Sequence, residues 1–157
     1  MELKNGNKAP AFELESMNGN KVSLNDMKGK WIVLYFYPRD NTSGCTLEAV
    51  GFTARSEDFK KLGAEIYGVS RDSVKSHRGF AEKHKLGIQL LSDPDLTAHK
   101  AYCAWGKKVM YGKETEGVIR STFIIGPDLK LAHLWPKVTV KGHVEKVYEK
   151  LAELIKK

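Results

Sequence analysis

The sequence predicts a single α/β domain, a central mixed β-sheet flanked by helices with an N-terminal β-hairpin, and three observations carry that prediction. The seven-residue apolar run Trp31-Ile32-Val33-Leu34-Tyr35-Phe36-Tyr37, rich in aromatic and β-branched side chains, reads as a strand covered on both faces. Segments of strand and helix period alternate after it, as they do where parallel strands are joined by helices. Near the end, Val144, Val147, Tyr148, Leu151, Leu154 and Ile155 recur at the spacing of a helix laid on a sheet. With 157 residues, 41% of them hydrophobic, the chain has enough apolar side chain for one core and too little for a second domain. No repeat or Pro/Gly/Ser-rich linker divides it, so residues 1–157 are read as one domain.

The elements follow in order. Residues 11–15 and 21–24 form the hairpin, because Asn18-Gly19 between them supplies the positive φ angles of a tight turn. The strand 31–37 stops at Pro38, which cannot donate to a ladder. A polar loop then leads to a helix that begins at or just before Cys45 and runs to about Leu62, with Leu47, Val50, Ala54 and Phe59 as its recurring apolar positions. A strand at 64–70, a helix at 73–84 and a short strand at 89–91 come next. A helix over 96–102 follows Pro94, a residue tolerated just ahead of a helix start. The segments 119–125 and 130–135 pair around Gly126-Pro127-Asp128, and the last helix closes the chain.

Composition excludes several classes of function. The longest apolar run falls far short of the ~20 residues that a membrane-spanning helix requires. Residues 1–8 turn polar at once, without an apolar stretch or an Arg-rich pattern, and the expectation is a cytoplasmic protein with no membrane partner. A formal charge of +7 invites a nucleic-acid reading, but only Arg39, Arg55, Arg71, Arg78 and Arg120 among the 26 cations are arginine, and the lysines are spread along the chain. A solvated basic surface, with no nucleic-acid partner, is the expectation. The Gly-Lys pairs at Gly29, Gly106 and Gly112 lack the following Ser or Thr of a phosphate-binding loop. His77, His84, His99, His133 and His143 lack metal-ligand spacing, so no metal is expected and these residues are read as surface or packing groups.

Two cysteines are too few for a disulfide scaffold, so their reactivity is the question. Cys45 follows Gly44 at a predicted helix start, where backbone N–H groups and the helix dipole favour a thiolate over a thiol. The competing reading is a small buried residue behaving as a hydrophobe. Position 48 is Glu, which rules out a Cys-x-x-Cys dithiol. Downstream, Arg120 interrupts an apolar segment whose alternation puts Arg120, Thr122 and Ile124 on one face. A guanidinium there needs a counter-charge: Glu48, the Cys45 thiolate, or both.

The segment Pro38-Arg39-Asp40-Asn41-Thr42-Ser43-Gly44-Cys45 resembles the active-site pattern of the peroxiredoxins: Pro, three residues, Thr or Ser, two residues, Cys. The longer stretch 35–49 resembles the bacterioferritin-comigratory, or peroxiredoxin Q, subfamily. Lys8-Ala9-Pro10-Ala11-Phe12, Gly68-Val69-Ser70, Leu91-Ser92-Asp93-Pro94, Arg120-Ser121-Thr122-Phe123 and Lys141-Gly142-His143 are similar to it in the same order. The resemblance implies a thioredoxin-like fold and reduction of hydrogen peroxide and organic (alkyl) hydroperoxides without metal, flavin or other cofactor. Cys45 is then the peroxidatic cysteine, Thr42 orients the peroxide, Arg120 favours the thiolate and the leaving oxygen, and Pro38 shields the site. Backbone N–H groups at Gly44 and Cys45 add donors. Glu48 either orients Arg120 or is a favourable acid in the first helical turn.

One position departs from the subfamily. Many members carry a resolving cysteine five residues after the peroxidatic one, where this chain has Val50. Either Cys103 resolves the sulfenic acid after a conformational change, or an external thiol such as thioredoxin, glutaredoxin or a low-molecular-weight thiol reduces Cys45 directly. The one-cysteine route and a monomer are the expectation. The reading from a different class is a binding module with an inert Cys45.

Overall fold

The computed structural model describes residues 3–156, with Lys108 and Met110 as backbone only. Its main sheet comprises β1 (Glu13–Ser16), β2 (Lys21–Ser23), β3 (Trp31–Phe36), β4 (Ala64–Ser70), β5 (Gln89–Ser92), β8 (Ser121–Ile125) and β9 (Leu131–Trp135), in the order β2-β1-β5-β4-β3-β8-β9. The hairpin β6 (Trp105–Met110) and β7 (Lys113–Val118) stands apart as a two-stranded sheet. The helices are α1 (Ser43–Ala54), α2 (Ser56–Lys61), α3 (Val74–His84), α4 (Thr97–Ala101) and α5 (His143–Ile155).

Strand β3 is an interior strand of the sheet, parallel to β4 and antiparallel to β8. Its period-two alternation divides the core into two layers. Ile32, Leu34 and Phe36 join Phe123, Ile125, Ala98 and Tyr102 on one face. Val33, Tyr35 and Tyr37 join Cys45, Ala49, Phe52, Ile124, Val147 and Leu151 on the other. The expected α/β architecture, N-terminal hairpin and C-terminal helix are all present. Among the described residues no helix is long and apolar enough to cross a membrane.

Four local expectations need correction. The helix expected from about Cys45 to Leu62 is two helices, broken at Arg55; it starts just before Cys45 as expected, with Thr42 as the N-cap of α1 and Cys45 inside the first turn. Its buried stripe is Cys45, Glu48, Ala49 and Phe52, whereas Leu47 is 67% exposed, Val50 is 41% exposed and Ala54 is exposed too. Counting apolar residues misoriented the helix because the core-facing row contains a carboxylate, which is buried only because a guanidinium meets it.

The hairpin β6–β7 was not foreseen, since its strands are mostly charged residues and glycine. A turn with both central residues at positive φ, Tyr111 at 52° and Gly112 at 77°, sets its register. Strand β8 starts at Ser121 rather than at residue 119, because the Ile119 N–H leaves the ladder to donate to the Ala104 carbonyl at 2.7 Å. Helix α4 is shorter than 96–102, with Leu96 at a φ of 65° ahead of it and Cys103 beyond it.

Candidate active site

The ends of two adjacent strands place the site. The β3–β8 register pairs Phe36 with Ser121, so the residues just outside that pair, Tyr37 and Arg120, emerge at the same edge of the sheet. From Tyr37 the chain runs through Pro38 and the loop into α1, which carries Cys45 over the same face. Residues 75 positions apart in sequence thereby meet.

Arg120 occupies the junction. Its Nη1 donates to Glu48 Oε1 at 2.6 Å, and its Nη2 donates to Cys45 Sγ at 3.3 Å. Cys45 and Glu48, three apart on α1, share a helix face, so one planar guanidinium serves both. Gly44 leaves the necessary space, since a Cβ there would lie 3.3 Å from Arg120 Nη2. Both counter-charges named from the sequence are therefore engaged, and Glu48, in the second turn of α1, acts as partner to Arg120 rather than as a first-turn acid.

Burial governs the electrostatics. The Glu48 side chain has no exposed surface, and burial pushes its carboxyl up to about 7 against the pull of Arg120. Burial works to lower the Arg120 pKa, yet the charges of Glu48 and Cys45 raise it on balance. Beneath Cys45, the Tyr35 ring stacks on Phe52 at 4.8 Å in a space that Gly68 leaves open. Burial, followed by the charges of Glu48 and Cys45, holds the Tyr35 phenol well above its ordinary pKa, so it stays protonated.

Thr42 and Pro38 form the outer wall. Thr42 does not cap α1 through its side chain; its hydroxyl donates to the Arg39 carbonyl at 2.9 Å. Half-buried Pro38 lines a cleft of about 610 Å³ with Arg39, Thr42, Arg71, Trp105 and Val118. Across the site, the Val138 N–H donates to the Arg120 carbonyl at 2.8 Å, and Val140 reaches to 4.0 Å from the Cβ position of Gly44.

Sequence reasoning passed over several residues around this centre. Thr122, on the same face as Arg120, has its Oγ1 2.8 Å from Nε2 of buried His143. Burial, helped by the charges of Lys146 and Arg120, lowers the His143 pKa to about 4. Asp40 and His77 form a buried pair at the base of the loop. An acid inside a loop that otherwise needs only turn residues was the available signal for Asp40, but nothing local marked His77.

Cys103 is not brought to Cys45. It is exposed, at a φ of 58°, and its neighbours Tyr102 and Ala104 belong to the core layer on the opposite face of the sheet from Cys45. It lies just beyond the C-cap of α4, Tyr102.

A buried thiol in the first turn of a helix, with a guanidinium aimed at its sulfur, is an arrangement for nucleophilic chemistry in which negative charge is stabilised as it moves. Comparison with known proteins shows the family and the fold. The AhpC/TSA family matches residues 5–134. Peroxiredoxin Bcp of Bacillus subtilis is 45% identical over 157 residues, the full length of both chains. A structure of Xanthomonas campestris peroxiredoxin Q has a TM-score of 0.88 at 41% identity, covering 92% of this chain and 91% of that one. A structure concerned with alkyl peroxide reduction by the Xanthomonas campestris bacterioferritin comigratory protein has a TM-score of 0.88 at 40% identity, covering 92% of each chain. Site geometry, family match and full-length relatives point one way: the chain belongs to the AhpC/TSA family, as a thioredoxin-fold peroxiredoxin of the Bcp and peroxiredoxin Q kind, a thiol-dependent peroxidase.

Proposed function

We propose that Cys45 is the thiol that reacts with peroxide, that hydrogen peroxide and alkyl hydroperoxides are its substrates, and that an external thiol restores it. The observation that carries this reading is the shared guanidinium, with Arg120 Nη2 on Cys45 Sγ and Nη1 on Glu48. The Cys45 thiolate attacks one peroxide oxygen in line with the O–O bond. A sulfur electron pair forms the S–O bond, the O–O bond breaks, and the leaving oxygen takes up a proton and departs as water or an alcohol. Arg120 favours the thiolate and then the charge growing on the leaving oxygen. Backbone N–H groups of the first turn of α1 and the Thr42 hydroxyl orient the peroxide, and Pro38 limits the entry of water.

The reductive half needs only one cysteine of this chain. Cys103 sits with the opposite core layer, and position 50 is valine, which supports reduction of the Cys45 sulfenic acid by thioredoxin, glutaredoxin or a low-molecular-weight thiol. Cys45, Glu48 and Arg120 all come from one chain, which supports a working monomer.

Stopped-flow mixing of reduced protein with stoichiometric peroxide, then dimedone trapping and mass spectrometry, tests both halves. The expected result is oxidation orders of magnitude faster than a free thiol, a dimedone adduct on Cys45, and turnover retained in Cys103→Ser. A rate no better than free cysteine would sink the catalytic assignment. A Cys45–Cys103 disulfide, or loss of turnover in Cys103→Ser, would overturn the one-cysteine route.

A further inference from the structure

We propose that Asp40 and His77 are a positioning pair that holds the loop ahead of Cys45 in its peroxide-ready shape through one proton shared between them. The proposal rests on Cys45 being the reacting thiol. The pair lies outside the Arg120–Glu48–Cys45 contacts, and the reaction as derived above does not use it.

The hydrogen bonds define the pair. His77 is fully buried on α3, its Nε2 3.0 Å from the Leu91 carbonyl oxygen and its Nδ1 2.8 Å from Asp40 Oδ2. A carbonyl oxygen only accepts, so Nε2 carries a hydrogen. Asp40 Oδ2 also accepts from Ser76 Oγ at 2.8 Å, and Oδ1 accepts from Tyr37 Oη at 2.6 Å. Two hydroxyls donating to Asp40 favour its carboxylate form, Nδ1 then donates as well, and the geometry assigns His77 as an imidazolium. A neutral ring would set the Nδ1 lone pair against a carboxylate oxygen at 2.8 Å in a site closed to water.

The surroundings keep the proton in place. Tyr37 is the other ionisable group facing the ring, and burial, with the charges of Tyr35 and Asp40, holds its phenol well above the ordinary pKa, so it remains a donor. Asp72 lies one bond further out, accepting from the Asp40 N–H at 2.8 Å and from Ser70 Oγ at 2.7 Å. On α3 itself Lys75 and Arg78 are exposed, and Arg78 donates to the Met17 carbonyl.

The link to catalysis is the chain itself. Asp40 is anchored by its side chain to α3 and by its N–H to the loop after β4. The next residue, Asn41, takes a φ of 62°, and Thr42 follows as N-cap, its hydroxyl tied back to Arg39. The turn that presents Thr42 and starts the Cys45 helix is therefore built on Asp40. Stripping the shared proton, or removing either partner, leaves a buried charge or lone pair unanswered and releases the turn from α3.

The test uses the full chain. Cys45 oxidation by hydrogen peroxide is followed by stopped flow across pH for wild type, His77→Gln and Asp40→Asn, with circular dichroism checking that each folds. In parallel, ring-nitrogen NMR of wild type labelled with 15N histidine reports the protonation of His77. The expected results are both His77 ring nitrogens protonated at neutral pH, and a fall of about tenfold or more in the peroxide rate of folded variants. An unprotonated Nδ1 at neutral pH would overturn the proposal even if neither variant folds. So would folded variants that match the wild-type rate. A slow wild type would instead count against the assignment of Cys45, which separates the two failures.

Discussion

Arg120 Nη1 and Glu48 Oε1 lie 2.6 Å apart, and that contact turns the other arm of the guanidinium, Nη2, onto Cys45 Sγ. The carboxylate costs free energy to bury, yet it fixes the plane of the cation that faces the reacting sulfur.

Removing the cation should separate reactivity from folding. Arg120→Gln is expected to lower the second-order rate of Cys45 oxidation by about a hundredfold or more, on the scale seen when one preorganised donor is deleted. Arg120→Lys should recover little, because one ammonium cannot reproduce the two-armed contact. Stopped-flow rates with stoichiometric peroxide are the measurement, and a wild-type rate in Arg120→Gln would refute this role.

Gly44→Ala probes the same contact from the other side. The added Cβ would sit 3.3 Å from Arg120 Nη2, and only the mobile end of that side chain has to yield. Stability should stay within about 1 kcal/mol of wild type, since alanine is the better helix former. The oxidation rate should nevertheless fall about tenfold as Nη2 is pushed from Sγ. Denaturant unfolding beside peroxide kinetics would reveal the dissociation.

Glu48 makes stability depend on pH in an uncommon direction for a carboxyl. Burial raises its folded pKa from 4.5 to about 7, so between those values the folded state holds a proton that the unfolded state has lost. Stability contributed by this group is then present at acid pH and lost as pH rises through about 7. Glu48→Gln, which stays neutral, should become steadily more stable relative to wild type from about pH 5 to about pH 8 in thermal unfolding. A constant difference would contradict a buried titrating carboxyl.

His143 acts with the opposite sign. Its folded pKa is lowered by burial from 6.5 to about 4, so the unfolded state takes up a proton first as pH falls. The stability this group contributes is complete above 6.5 and is lost toward about 4. His143→Gln should unfold less steeply with acid across that window, although its midpoint at neutral pH drops with the Thr122 contact weakened. Urea midpoints measured along a pH series would show the change in slope.

Local patterns in the sequence were enough for the elements whose structure follows from their own residues. The apolar run of β3, the Asn18-Gly19 turn and the six-residue stripe of α5 each carry a period or turn chemistry that one segment determines alone. The loop from Pro38 to Cys45 was legible through its resemblance to the peroxiredoxin pattern, and the demand of Arg120 for a counter-charge through its place in an apolar segment. Tertiary structure decided what depends on partners far along the chain. Leu47 and Val50 are exposed while Glu48 is buried because the β3–β8 register brings Arg120 to that face of α1. His77 becomes a partner of Asp40 only where α3 packs beside β5, and the neighbours of Cys103 lie in the core layer across the sheet from Cys45. Hydrophobic period is a property of a segment, whereas the pairing of a buried charge is a property of the whole fold, since its cost is offset only by the residue that topology places against it.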